Sequence, residues 1–276
     1  MRADLIDLLA VRLIYPQAGP DLTPVPVAAP GPAPAVVHDI AALYRARPRA
    51  ADQPWLRANM VASADGAAAL DGRSGGLGGP ADRMVFNILR SICDVILVGA
   101  GTARAERYKP VSESRVWAEL RAGRSPLPPI AIVTRSLDLS DCQPLLSALP
   151  AHARTLVITT AEAAGRAPAA WTHEVRTVVA GETHVDMGQA VAALVSLGFR
   201  EILTEGGPRL LGHLTRAGLL DELCLTTSPV IAAGRASRIV ADADPAGHPA
   251  AGLKLDLVHV LADAGFLLSR YVRPAD

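Results

Sequence analysis

Residues 55–108 read WLRANMVASADGAAALDGRSGGLGGPADRMVFNILRSICDVILVGAGTARAERY, and this stretch decides the fold class. Leu56–Ala62 is an apolar strand candidate that ends in the polar turn Ser63-Ala64-Asp65-Gly66. A glycine-rich loop follows, and Pro80 then opens a helix, since a proline at the first helical position gives up an amide that has no intrahelical partner there. Met84, Phe86, Ile88 and Leu89 supply the apolar faces of that helix. Asp94–Val98 is a near-continuous apolar run, the pattern of a strand buried on both faces, and it leads into Gly99-Ala100-Gly101-Thr102. Strand, helix, strand and glycine turn in that order deliver bare amides and polar side chains to one edge of a sheet.

Leu203-Thr204-Glu205-Gly206-Gly207-Pro208 repeats the device. Two strand-to-glycine-to-helix junctions in one chain point to a cofactor that carries phosphate, because glycine lets the backbone approach an anion and the helix start attracts it. Around this second junction Asp186 begins a helix (Met187, Ala190, Val191, Leu194, Leu197) that Gly198 stops. Glu201–Thr204 is a strand, Pro208 opens a helix that ends at Gly218, and Glu222–Thr227 is another strand. Pro129–Thr134, Thr155–Thr159 and Val175–Val179 are further strands, and a helix is expected around Val116–Arg121. Leu253–Leu261 and Gly265–Val272 read as an antiparallel hairpin turned by Asp263-Ala264-Gly265. The alternation predicts an α/β fold on a mostly parallel central sheet with an antiparallel C-terminal hairpin.

Upstream, seven prolines fall between Pro16 and Pro34, which predicts an extended, polyproline-like surface arm. Before it, Met1–Ile14 is apolar but carries Asp4 and Asp7 where a signal peptide needs an uncharged core, so a short amphipathic helix or strand is expected. Asp39 is read as the cap of a helix running to Arg47, with Ile40, Leu43 and Tyr44 apolar. The chain thus divides into residues 1–50, an arm with a proline-rich linker and a short helix, and an α/β domain over residues 51–276.

Bulk properties exclude several functions. Lysine plus arginine equals aspartate plus glutamate, and only 4% of residues are aromatic, so neither a phosphate backbone nor stacked bases are natural partners. No stretch reaches the ~20 apolar residues of a membrane span. The three cysteines, Cys93, Cys142 and Cys224, stand far apart and read as buried thiols of a cytoplasmic protein. The histidines lack metal-ligand spacing, and no Cys-x-x-Cys or Walker-type lysine occurs, so no metal site, zinc deaminase or P-loop is expected.

What remains is binding and positioning. Gly101 and Thr102 offer amides at a strand end, although Arg104 stands where a dinucleotide fingerprint needs its third glycine. Glu205, directly before Gly206-Gly207, repels phosphate and is read as facing a substrate or a backbone group. Thr134-Arg135-Ser136 closes a strand with groups that can hold a ribose 2′-phosphate, which selects NADPH over NADH. Asp65 and Ser63 lie just past the first strand, where a carboxylate positions a proton donor or simply makes an Asp-Gly turn.

In order along residues 55–273, Asn59, Ser63-Ala64-Asp65-Gly66, Ser74, Leu89-Arg90, Asp94 to Thr102, Ile202 to Pro208, Leu211-Gly212, Asp221-Glu222-Leu223 and Ser228-Pro229 resemble the reductase domain of the riboflavin-biosynthesis deaminase–reductases. The similarity is greatest to the stand-alone actinobacterial members. The resemblance implies a dihydrofolate-reductase-like three-layer fold, NADPH as hydride donor and a homodimer. It carries cofactor contacts onto Val61, Ala62, Gly101, Thr102, Glu106, Thr134, Arg135, Gly206, Gly207, Pro208, Arg209, Leu210 and Leu211. Substrate contacts fall on Ser63, Ser74, Arg90 and Glu205, and catalytic roles on Asp65 and Glu205. The implied substrate is a ribosylaminopyrimidine phosphate, with a dihydropterin as the alternative and a non-catalytic NADPH-binding protein as the rival class. The chain departs from the family pattern at Gly76 and at Lys109-Pro110-Val111-Ser112-Glu113, where members often place a tryptophan and a phosphate-binding arginine.

Overall fold

In the computed structural model, residues 11–15, 34–45, 53–112, 115–147, 149–169, 171–241 and 252–274 are described. The strands are β1 (Arg12–Tyr15), β2 (Trp55–Ser63), β3 (Val95–Gly99), β4 (Ile130–Val133), β5 (Leu156–Thr159), β6 (Arg176–Val179), β7 (Glu201–Thr204), β8 (Glu222–Ser228), β9 (Asp256–Asp263) and β10 (Phe266–Val272). The helices are α1 (Pro34–Leu43), α2 (Pro80–Ile92), α3 (Ala100–Ala105), α4 (Arg115–Leu120), α5 (Ala161–Ala164), α6 (Trp171–Glu174), α7 (Met187–Ser196) and α8 (Pro208–Arg216).

All ten strands form one sheet in the order β1-β9-β10-β8-β2-β7-β3-β4-β5-β6. From β8 to β6 every pairing is parallel, and β10, β9 and β1 add antiparallel to the β8 side. The expected mostly parallel sheet with an antiparallel C-terminal hairpin is therefore present. Alternation along β3 assigns the layers: Ile96 and Val98 pack with α1 and α2 through Val37, Ile40, Met84 and Ile88, whereas Val95 and Leu97 pack with α7 and α8 through Val191, Leu194, Leu211 and Leu214. The result is helix, sheet, helix. Pro80 starts α2 as expected, and its buried Ala81, Met84, Val85, Ile88 and Leu89 form one helical stripe. Asp186 caps α7, its side chain accepting from Gln189 N at 2.8 Å. Ala264 and Gly265 both have positive φ, the geometry of a two-residue hairpin turn that follows the twist of its strands.

Two readings are corrected. Asp39 does not cap a helix; α1 already starts at Pro34 and Asp39 lies inside it. The hairpin's first strand begins at Asp256, not at Leu253. Of the helix or strand expected within Met1–Ile14, the described end is a strand, since Arg12 and Leu13 pair with Ala262 and Leu261 of β9. Residues 16–33 of the proline-rich arm and Arg47 lie outside the described residues, and its last proline, Pro34, opens α1.

The C-terminal end of α1 is fastened to the sheet by buried charges. Glu222 at the start of β8 accepts from Arg57 (Nε 2.6 Å), Arg270 (Nε 3.0 Å and Nη2 2.9 Å) and Trp55 Nε1 (2.8 Å). The same arginines donate to the carbonyls of Leu43, Tyr44 and Arg45, where the helix exposes unpaired acceptors and its negative dipole end.

His259 of β9 sits beside this cluster, its ring edge-on to Tyr44 at 4.9 Å, with no hydrogen-bond partner for Nε2 among the described residues. Burial first, then the Arg270 charge, hold its pKa down at about 4 against an ordinary 6.5. Below pH 6.5 the unfolded chain therefore takes up a proton that the native state refuses, and stability falls until about pH 4; above 6.5 the group contributes nothing. Between pH 7 and pH 4.5 urea unfolding is expected to show the wild type losing about 2 kcal/mol more than His259→Phe. Equal losses in the two proteins would show that His259 takes a proton in the native state.

Candidate active site

Parallel pairing aligns the strand ends. Leu97 of β3 lies opposite Thr204 of β7, and Gly99 opposite Val133 of β4, so both glycine junctions emerge on one sheet edge. They are bonded to each other: Glu205 N donates to Leu97 O (3.1 Å) and Gly99 N to Gly206 O (2.8 Å). Gly206 has φ +83°, which a residue with a Cβ rarely adopts. Gly207, joined to it by a cis peptide, lies so close to the Thr102 hydroxyl that a Cβ there would occupy the oxygen's place.

A cavity of about 690 Å³ opens at this edge. Of the residues singled out in the sequence, Val61, Ser74, Gly101, Thr102, Glu106, Glu205, Gly207 and Pro208 line it. Ser74 and Glu106, expected to serve different ligands, meet: Glu106 accepts from Ser74 N at 2.7 Å and from its hydroxyl at 2.9 Å. Glu205 is buried, and Arg90 grips it with two bonds of 2.7 Å. The Tyr108 hydroxyl donates to Glu205 Oε2 at 2.5 Å. Burial, then the Glu205 charge, raise the Tyr108 pKa well above its usual value, so the hydroxyl keeps its proton. The Arg90 guanidinium stacks over Phe86 at 4.1 Å. Arg121 fixes the helix end that carries Arg90, its Nη1 donating to the carbonyls of Arg90, Ser91 and Cys93.

The other candidates stand back from the cavity. Arg90 does not line it but backs three residues that do, Glu205, Phe86 and Tyr108. Ala62 is buried in β2, Gly206 lies behind Gly207, Arg209 is exposed, and Leu210 and Leu211 face the core. Thr134 and Arg135 stand at the end of β4 on the same sheet edge; the Thr134 hydroxyl accepts from Leu137 N at 3.0 Å and Arg135 is exposed. Asp65 is a correction. Its carboxylate accepts from the Ser63 hydroxyl (2.5 Å) and from the amides of Ala232 (3.0 Å) and Ala233 (2.8 Å), and these bonds hold its pKa at about 2. Ser63 is itself engaged, its oxygen accepting from Ala67 N at 2.8 Å. The pair ties the turn after β2 to the loop after β8, so Asp65 has the turn role rather than the catalytic one.

Residues 54–267 match the RibD C-terminal domain family. The chain belongs to that family. Two relatives are named 2,5-diamino-6-ribosylamino-4(3H)-pyrimidinone 5′-phosphate reductase. The one from Archaeoglobus fulgidus is 31% identical over 202 residues, 70% of this chain and 88% of that protein. The one from Methanothermobacter thermautotrophicus is 27% identical over 205 residues, 74% and 91% of the two chains. A crystal structure of a pyrimidine reductase-like protein from Corynebacterium diphtheriae superposes with a TM-score of 0.72 at 29% identity, covering 87% of this chain and 99% of that one.

Within this RibD-type domain the sequence reading missed several lining groups: Asp82, Arg83 and Phe86 of α2, Tyr108, and Ala236-Ser237 of the loop after β8. Asp82 and Arg83 had a visible signal, two charges in the first turn of a helix that opens beside a glycine-rich loop. Nothing local marks Tyr108 or Ala236.

Proposed function

We propose that this chain is an NADPH-dependent reductase of the riboflavin-pathway pyrimidine reductase type. Its substrate is the opened ribose of a ribosylaminopyrimidine phosphate, which it converts to ribityl, and it works in the cytoplasm as a homodimer. The observation that carries this reading is the cavity between two glycine junctions at the carboxyl edge of a parallel sheet, in a chain of the RibD C-terminal domain family. The residues present fit NADPH: Gly101 leaves open space above its backbone, Gly207 lies against the Thr102 hydroxyl where a Cβ would clash, and Thr134-Arg135 stand at the neighbouring strand end for a 2′-phosphate. NADPH, when bound, supplies the hydride.

The chain's own groups position and exclude. Gly101, Thr102, Gly207 and Pro208 would hold the cofactor against β2 and α8. Ser74, oriented by Glu106, and Glu205, neutralised by Arg90, form the polar part of the acceptor side, while Met60, Phe86 and the Tyr108 ring keep water off it. Asn59 adds an amide beside them.

Arg83 tests whether the substrate carries phosphate. It is the cation among the described lining residues, whereas Arg104 donates to Asp138 O. NADPH oxidation, followed by absorbance, is expected with a ribosylaminopyrimidine 5′-phosphate. Arg83→Ala should raise its KM about tenfold, the loss of one charge-assisted contact worth about 1.4 kcal/mol. Turnover of dihydrofolate with none of the pyrimidine would replace this reading by the pterin one. NADPH binding with neither substrate turned over would favour the non-catalytic one.

A further inference from the structure

Four carboxylates line the cavity: Asp71, Asp82, Glu106 and Glu205. Glu106 is taken by Ser74, and Glu205 by Arg90 and Tyr108. Asp71 is exposed in a turn with φ +48°. Asp82 differs from all three. It projects from the first turn of α2 into space left by Gly78, where a Cβ would stand 2.6 Å from Asp82 Oδ2. No arginine or lysine forms an ion pair with it among the described residues; the Thr226 hydroxyl is its hydrogen-bond partner, and Arg83 acts only by its charge. Burial raises its pKa against those two influences. A part-buried carboxylate with spare acceptor capacity, facing a ligand cavity, calls for donors from the ligand.

We propose that Asp82 reads the ring edge of the substrate, accepting from a 2-amino group and the adjacent ring N–H, so that the cavity selects a 2-amino-4-oxopyrimidine over a uracil ring. Two parallel donors on one edge match the two oxygens of a carboxylate. Uracil places a carbonyl oxygen where the amino group would be, and an acceptor set against a carboxylate is repelled and leaves both groups unpaired. A site built to pair a donor discriminates strongly against an analogue that lacks it. Asp82 acquires this role only if the cavity takes a pyrimidine, as the reductase reading holds. A carboxylate in the first helical turn also stabilises the helix dipole, and that structural role makes no distinction between rings.

The test is kcat/KM at saturating NADPH for 2,5-diamino-6-ribosylamino-4(3H)-pyrimidinone 5′-phosphate and for 5-amino-6-(5-phosphoribosylamino)uracil. Wild type, Asp82→Asn and Gly78→Ala are compared, the last keeping the charge but crowding the carboxylate. Wild type is expected to prefer the 2-amino ring by at least thirtyfold. The preference should shrink at least tenfold in Asp82→Asn, chiefly through KM, with the Kd for NADPH unchanged, and Gly78→Ala should shrink it in the same direction even if Asp82→Asn fails to fold. A wild-type ratio near one, or a ratio untouched by the variants, overturns the proposal. Should neither ring be reduced, the reductase reading falls, and calorimetric binding of the same two phosphates decides the role of Asp82. Tighter binding of the 2-amino ring that is lost in the variants sustains it; equal binding or none overturns it.

Discussion

Glu222→Gln is expected to destabilise the protein by about 3–5 kcal/mol, the range for removing one partner from a buried ion pair. Arg57 and Arg270 are 2% and 5% exposed, so neither can turn to water when the carboxylate goes. A glutamine amide keeps the volume but points donors at guanidinium donors. The loss spreads beyond the triad, because the same two arginines hold the carbonyls of Leu43, Tyr44 and Arg45 and hence the helix that buries Val37, Ile40 and Tyr44. Burial alone would raise the pKa of Glu222, but the Arg57 and Arg270 charges and bonds outweigh it and hold it below the usual carboxylate value. Its stabilisation is therefore complete above the ordinary value of 4.5 and drains away as pH falls through the lowered one. Buried triads can often be exchanged for apolar residues without loss. Here Arg57→Met, Glu222→Leu and Arg270→Met together should stay well below wild type, since they strip three helix-end carbonyls of their donors. Denaturant unfolding of both proteins checks this; a Glu222→Gln protein within about 1 kcal/mol of wild type would mean that the arginines find other partners.

Elements whose pattern is local were legible in the sequence. Proline and glycine punctuate α2, α7 and α8, and Val95–Val98 is apolar on both faces because both faces are covered. The two glycine junctions were legible for the same reason, and parallel pairing then forces them to one edge. Partner choice was not legible. Arg90 and Glu205 are 115 positions apart and Glu222 and Arg57 are 165 apart; only the sheet order brings them together. Asp65 shows the reverse error. An Asp-Gly after a strand admits either a turn or a catalytic reading, and the amides of Ala232 and Ala233, nearly 170 positions on, decide for the turn. α1 was misplaced because its C-terminal end is held by buried arginines of β2 and β10, which the local sequence does not reveal.

Glu205→Gln is expected to lower kcat/KM by at least a hundredfold and folding stability by about 3 kcal/mol, while NADPH binds within threefold of wild type. The split follows from geometry. The backbone of residue 205 holds the Gly206–Gly207 junction through its amide to Leu97, and that bond does not depend on the side chain. The side chain lines the cavity, and its removal leaves the Arg90 guanidinium without its counter-charge behind the cavity wall. A purely structural role is separated by a compensated variant, Arg90→Met, Tyr108→Phe and Glu205→Leu together, which removes all three members of the cluster and strands no charge. Its stability should return to within about 2 kcal/mol of wild type, as exchanged buried pairs do. Its turnover should not return, because the carboxylate at the cavity wall is still missing. Unfolding by denaturant and steady-state NADPH oxidation are read on the same samples. If the triple variant turns over within threefold of wild type, Glu205 serves the fold alone, and the polar contact to substrate passes to Ser74 and Asn59, which line the same cavity.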